Sequence, residues 1–177
     1  MKRHIIRLVI ILSLCSLSAS RSQAQTVAFR TNALLWGAEA ANLSADLTLA
    51  DHSTIGITGV WSVADSWIHD TNLRGWQLEY RYWFSHQPFH SLFVGPIAGI
   101  FHYRIDQDPE SQMACPVGVN CGYAFTLSNH WNLEACYGVG CLFYNCAQYD
   151  DELQFVAKSQ QHKFTTINLG LNLSYVF

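Results

Sequence analysis

Eight of the 13 acidic residues fall in three polar stretches: Asp65 and Asp70; Asp106, Asp108 and Glu110; Asp150, Asp151 and Glu152. Clustered carboxylates are what a divalent cation takes as oxygen ligands. The run Asp106-Gln107-Asp108-Pro109-Glu110 lacks the glycine of a calcium loop, and a solvated acidic rim accounts for it equally. His102, Asp106 and Ser111 supply a base, an acid and a hydroxyl close together, the ingredients of a hydrolase. Their spacing resembles no motif of a barrel hydrolase. Cys115, Cys121, Cys136, Cys141 and Cys146 have no zinc-site spacing and read as small apolar residues. No catalytic, cofactor-binding or metal-binding residue is expected.

Five other charged residues are placed differently. Arg30, Asp46, Glu79, Arg81 and Glu134 each stand on the polar side of a stretch whose apolar residues recur at every second position. Arg81 lies three residues before Phe84, Arg30 three after Val27 and Glu134 three after Trp131, with Asp46 and Glu79 slightly deeper. If these stretches are strands of one closed sheet, the five meet inside it as a structural cluster of two positive and three negative groups. At least one acid then needs a proton or polar neighbours.

The elements that must position this cluster are strands. Ile167, Leu169, Leu171, Leu173, Tyr175 and Phe177 alternate with Thr166, Asn168, Gly170, Asn172 and Ser174. The same period runs through Met113–Leu127, Trp131–Phe143, Trp76–Phe84, Asn42–Leu49, Ile55–Trp61 and Phe93–Tyr103, and less regularly through Val27–Trp36. In the stretch from Phe93 both faces are apolar; its odd positions are assigned outward, and Pro96 is awkward for a paired strand. That makes eight strands. Short connections at Asp51–Ser53, Ser85–Ser91 and Ser128–His130 alternate with long polar ones at Ser62–Leu73, Arg104–Gln112 and Asn145–His162, and the first connection is short.

Met1 to Ala24 has a basic start, the apolar run Leu8–Leu17 and small residues at Ser22 and Ala24, the pattern of a cleaved signal peptide. Leu14 before Cys15 argues against lipidation. The leader holds Lys2, Arg3, Arg7 and Arg21, four of the ten basic residues, and none of the 13 acids. The mature chain therefore has six bases against 13 acids, a formal charge of −7, which argues against nucleic acid as a partner.

Strands of 9–15 residues with one apolar face suit a lipid-facing barrel better than a globular sheet. Aromatics gather where interfacial girdles would lie: Phe84, Phe125, Trp131, Tyr175 and Phe177 at one end, Trp61, Trp76, Tyr103 and Phe143 at the other. The expectation is an all-β, eight-stranded antiparallel up-and-down transmembrane β-barrel over residues 25–177, in the cell outer membrane among lipid and lipopolysaccharide. Eight strands enclose room for side chains and not a wide pore. Two alternatives are a barrel enzyme acting on lipid A or peptide at the outer rim, and a soluble lipocalin-like ligand carrier.

The segments Arg30-Thr31-Asn32-Ala33-Leu34-Leu35-Trp36, Gln77–Phe84 and Asn132–Gly140 resemble those of an uncharacterised family of small outer-membrane β-barrels from Bacteroides-type bacteria. The chain departs from that pattern in an extra Ala33, in Tyr80 and in its many cysteines. The resemblance implies no activity and no catalytic residues. It implies that Tyr175 and Phe177, on the closing strand, form the signal read by the barrel-assembly machinery. Because some members are encoded beside fimbrial genes, it also points to a surface or fimbrial partner.

Overall fold

The computed structural model describes residues 26–62, 72–104, 112–149 and 155–177, with side chains for all of these except 145–149 and 155–159. The expected leader and all eight acids of the three polar stretches lie outside the described residues, as do Ser111 and the Cys146 side chain.

Eight strands follow one another in chain order: β1 (Val27–Asn32), β2 (Ala40–Ala50), β3 (Ser53–Ser62), β4 (Asn72–Trp83), β5 (Ser91–Arg104), β6 (Gln112–Thr126), β7 (Trp131–Tyr149) and β8 (Phe155–Val176). Each pairs antiparallel with the next, and β8 pairs with β1 from Ala28↔Val176 to Asn32↔Asn172, closing the barrel. Above that seam the Asn32 side chain takes the place of a strand, donating to the Leu169 carbonyl at 3.0 Å and accepting from the Leu171 amide at 3.3 Å.

The first strand is shorter than its alternation suggests. Ala33–Gly37 form a one-turn helix, α1, because the Asn32 side chain accepts from the Leu34 amide and caps it. The last two strands are longer than expected. Most of Asn145–His162 is not loop: β7 and β8 continue to pair through Asn145↔Gln160 and Gln148↔Ala157.

In β5 the assigned faces are reversed. Phe93, Gly95, Ile97, Gly99, Phe101 and Tyr103 turn inward, and Leu92, Pro96, Ala98, Ile100 and His102 turn outward. With both faces apolar, alternation has no side to choose, and the neighbours decide: buried Glu79 stands opposite Ile97. Tyr103 is accordingly no girdle residue; its hydroxyl donates to Gln112.

Pro96 is accommodated without breaking the sheet. It pairs with Val119 on β6, while pairing with β4 is interrupted between Glu79↔Ile97 and Tyr82↔Val94. Pro116 repeats the arrangement between β5 and β6. In each case the side lacking a donor loses its partner and the register resumes unchanged.

A bulge in β8 changes another facing. Gly138 pairs with Asn168 and Val139 with Thr166, so Ile167 is an extra residue. Ile167 turns into the lumen against Gly118, whereas Thr166 meets the outward Tyr137 hydroxyl at 2.9 Å and Phe164 is 72% exposed. The expected outward Ile167 and inward Thr166 are thus exchanged.

Candidate functional site: a charged lumen

The lumen is layered along the barrel axis. At the short-turn end Trp83 and Phe93 pack 4.9 Å apart with Phe89, and all three are buried. Phe89 belongs to the β4–β5 connection, where its positive φ of 65° folds the side chain into the barrel mouth. Such a backbone is unusual for a bulky residue and persists when the surroundings over-determine it. Asn132 holds it by donating to the Phe89 carbonyl at 3.0 Å.

Directly above, the structure brings all five expected charged residues together. Arg81 Nη2 donates to Glu79 Oε2 at 2.7 Å, and Nη1 to Glu134 Oε2 at 3.1 Å. Arg30 Nη2 donates to the same Glu79 oxygen at 3.2 Å, and Arg30 Nη1 lies 3.5 Å from the same Glu134 oxygen. Arg30, Glu79, Arg81 and Glu134 therefore form a closed ring of alternating charge, joining β1, β4 and β7 across the lumen. The ring is neutral. Asp46 is the excess acid, held among the described residues by Arg30 alone through contacts of 3.3 Å at both carboxylate oxygens. No side chain in the cluster is more than 5% exposed.

Sequence reasoning left open which polar neighbours serve the acids. The structure supplies Asn120, which donates to Glu79 Oε1, and Asn172, which donates to Glu134 Oε2 at 3.5 Å. Both occupy inward positions of strands already recognised, at the depth of the cluster. That position and depth were the signal available in the sequence. Phe89 left none, because it sits in a turn. The Arg81 guanidinium also lies 4.5 Å from the centre of the Phe93 ring, tying the charged layer to the aromatic one.

Above the ring the lumen is not filled. A cavity of about 320 Å³ opens toward the long-connection end, with Arg30, Asn42, Ser44 and Thr58 at its polar side and Phe101 and Ile167 at its apolar side. The expectation of a lumen packed with side chains thus holds for the short-turn half only.

Among the described residues no group of three or more histidine, cysteine or acidic residues is placed to hold a metal ion. His102 faces outward; Asp106 and Ser111 of the hydrolase grouping are outside the described residues. Cys115, Cys121 and Cys141 face outward and Cys136 faces the lumen, all four as free thiols. Tyr175 and Phe177 lie at the closing seam. Their rings are 4.8 Å apart, Phe177 stands edge-on to Phe29 of β1, and its amide donates to the Val27 carbonyl at 2.9 Å.

The family described as "Protein of unknown function (DUF3575)" matches residues 8–177. The chain belongs to the DUF3575 family. No curated protein and no solved structure matches it. For this DUF3575 member the layered lumen is therefore read from its own geometry. The family match spans every strand of the barrel and all five residues of the cluster.

Proposed function

We propose that the protein is a small outer-membrane β-barrel with a structural or surface-interaction role, its lumen closed by the ion ring and the aromatic layer. One observation carries this reading: the barrel is apolar outside and charged inside. Leu43, Ile57, Leu78, Val119, Leu169 and Leu171 are each 40–59% exposed, while Arg30, Asp46, Glu79, Arg81 and Glu134 are buried. Water would leave so large an apolar belt unfavourably exposed. Lipid covers it without cost, and a closed barrel pairs its backbone groups from strand to strand. A soluble carrier of apolar ligands needs the opposite arrangement.

In such a barrel the short turns face the periplasm and the long connections face outward. The outer connections are then what a surface or fimbrial partner meets. Tyr175 and Phe177, on the outer side of the closing strand, are the residues offered to the assembly machinery.

Cell fractionation with gel mobility tests the reading. The protein should partition with outer membranes, require detergent, and migrate differently before and after boiling. Recovery in the aqueous phase without detergent would overturn it.

A further inference from the structure

The outward side chains of β3, β4 and β5 form cross-strand rows whose character changes toward the long-connection end. Gly59, Trp76 and Ile100 make one row. Trp61, Arg74 and His102 make the next, and beyond it Asn72 stands opposite Arg104. Gly59 leaves a depression between the Trp61 and Trp76 rings, part of a surface groove of about 770 Å³. Apolar groove and basic rows are separated by two residues, roughly 7 Å of strand.

The concentration of positive charge here stands out against the rest of the chain. Of the six basic residues outside the leader, Arg30 and Arg81 are inside the lumen. Arg74 and Arg104 are two of the other four, and they share this patch with His102. Among the described residues neither arginine is ion-paired. In a chain of formal charge −3, two guanidinium groups stand together on the outer wall where tryptophans mark the change from apolar to polar.

We propose that this surface binds a phosphorylated, acylated lipid. An acyl chain occupies the groove along Trp76 and Ile100, and a phosphate group meets Arg74, His102 and Arg104. The guanidinium fork matches phosphate oxygens in geometry and charge. Tryptophan favours the level where chain meets headgroup. The inference rests on the membrane reading above and names the lipid contact of that barrel.

The test uses the full-length barrel in phosphatidylcholine nanodiscs, with diphosphorylated lipid A as probe. Its dephosphorylated analogue and inorganic phosphate form separate arms. Each arginine near a membrane surface contributes about fivefold to the affinity for an anionic lipid, so Arg74→Gln/Arg104→Gln should weaken binding roughly 25-fold. Lys163→Gln, on another strand, should leave it unchanged. The dephosphorylated analogue should bind the parent as weakly as lipid A binds the double variant, and inorganic phosphate should compete poorly. Equal binding by parent and double variant, or of the two lipids by the parent, overturns the site. Full competition by inorganic phosphate overturns its assignment to a lipid. Boiling-dependent gel mobility is measured on every variant. A parent that is heat-modifiable and needs detergent, yet binds both lipids alike, refutes this site and leaves the membrane reading standing. A parent soluble without detergent refutes both.

Discussion

Arg81→Leu should destabilise the barrel severely. Arg81 is 1% exposed, donates to Glu79 at 2.7 Å and to Glu134 at 3.1 Å, and covers the Phe93 ring. Its removal opens the ring and leaves Glu79, Glu134 and Asp46 facing Arg30 alone. Breaking a buried pair from one side costs about 3–5 kcal/mol, because the abandoned charge stays buried. With a urea slope of about 2 kcal/mol per molar, the unfolding midpoint should fall by roughly 1.5–2.5 M. The assay is equilibrium unfolding in lipid vesicles, followed by tryptophan emission and by gel mobility without boiling. Combining Arg81→Leu with Glu134→Gln should cost less than the sum of the two single changes, since the second removes a charge that the first leaves unpaired. An unchanged midpoint for Arg81→Leu would refute the ring as a source of stability. Strict additivity of the pair would show that the two side chains do not act through each other.

The neutrality of the ring makes Asp46→Asn the mildest change in the cluster. It removes the excess acid and keeps the shape, so denaturant unfolding should register a loss below roughly 1.5 kcal/mol. Gly56→Ala should cost more, about 1–3 kcal/mol by the same assay, because a Cβ there overlaps the Asp46 carboxylate. Deleting Phe177 should lower the amount of folded barrel in membranes several-fold, read by quantitative blotting of unboiled samples. Parental levels would remove Phe177 from the assembly role.

Alternation along the chain was enough to place all eight strands, because a barrel with one apolar wall repeats its instruction at every second residue. It also placed Arg30, Asp46, Glu79, Arg81 and Glu134 on the inward face, since a charge among alternating apolar residues has only one side to occupy. What alternation missed are departures from the period. The bulge at Ile167 shifts the facing by one residue and is set by pairing with β7. The β5 stretch is apolar on both faces, so its orientation came from β4 and β6. α1 interrupts β1 through a cap made by Asn32, a residue that also reads as the polar side of a strand. The polar Asn145–His162 stretch looked like loop because long paired strands need no apolar face once they extend beyond the belt. Phe89 reaches the lumen from a turn through a positive φ, for which a phenylalanine gives no warning.

The central claim is that the apolar wall meets lipid. Tryptophan fluorescence in vesicles with brominated acyl chains tests it directly, because bromine quenches at contact. Trp61, Trp76 and Trp131 are 44–65% exposed on the wall, whereas Trp83 is buried inside. Brominated chains should quench most of the emission and aqueous iodide little, and Trp76→Phe should remove a large share of the quenchable signal. Emission that iodide quenches and brominated chains leave intact would place the wall in water and contradict the account.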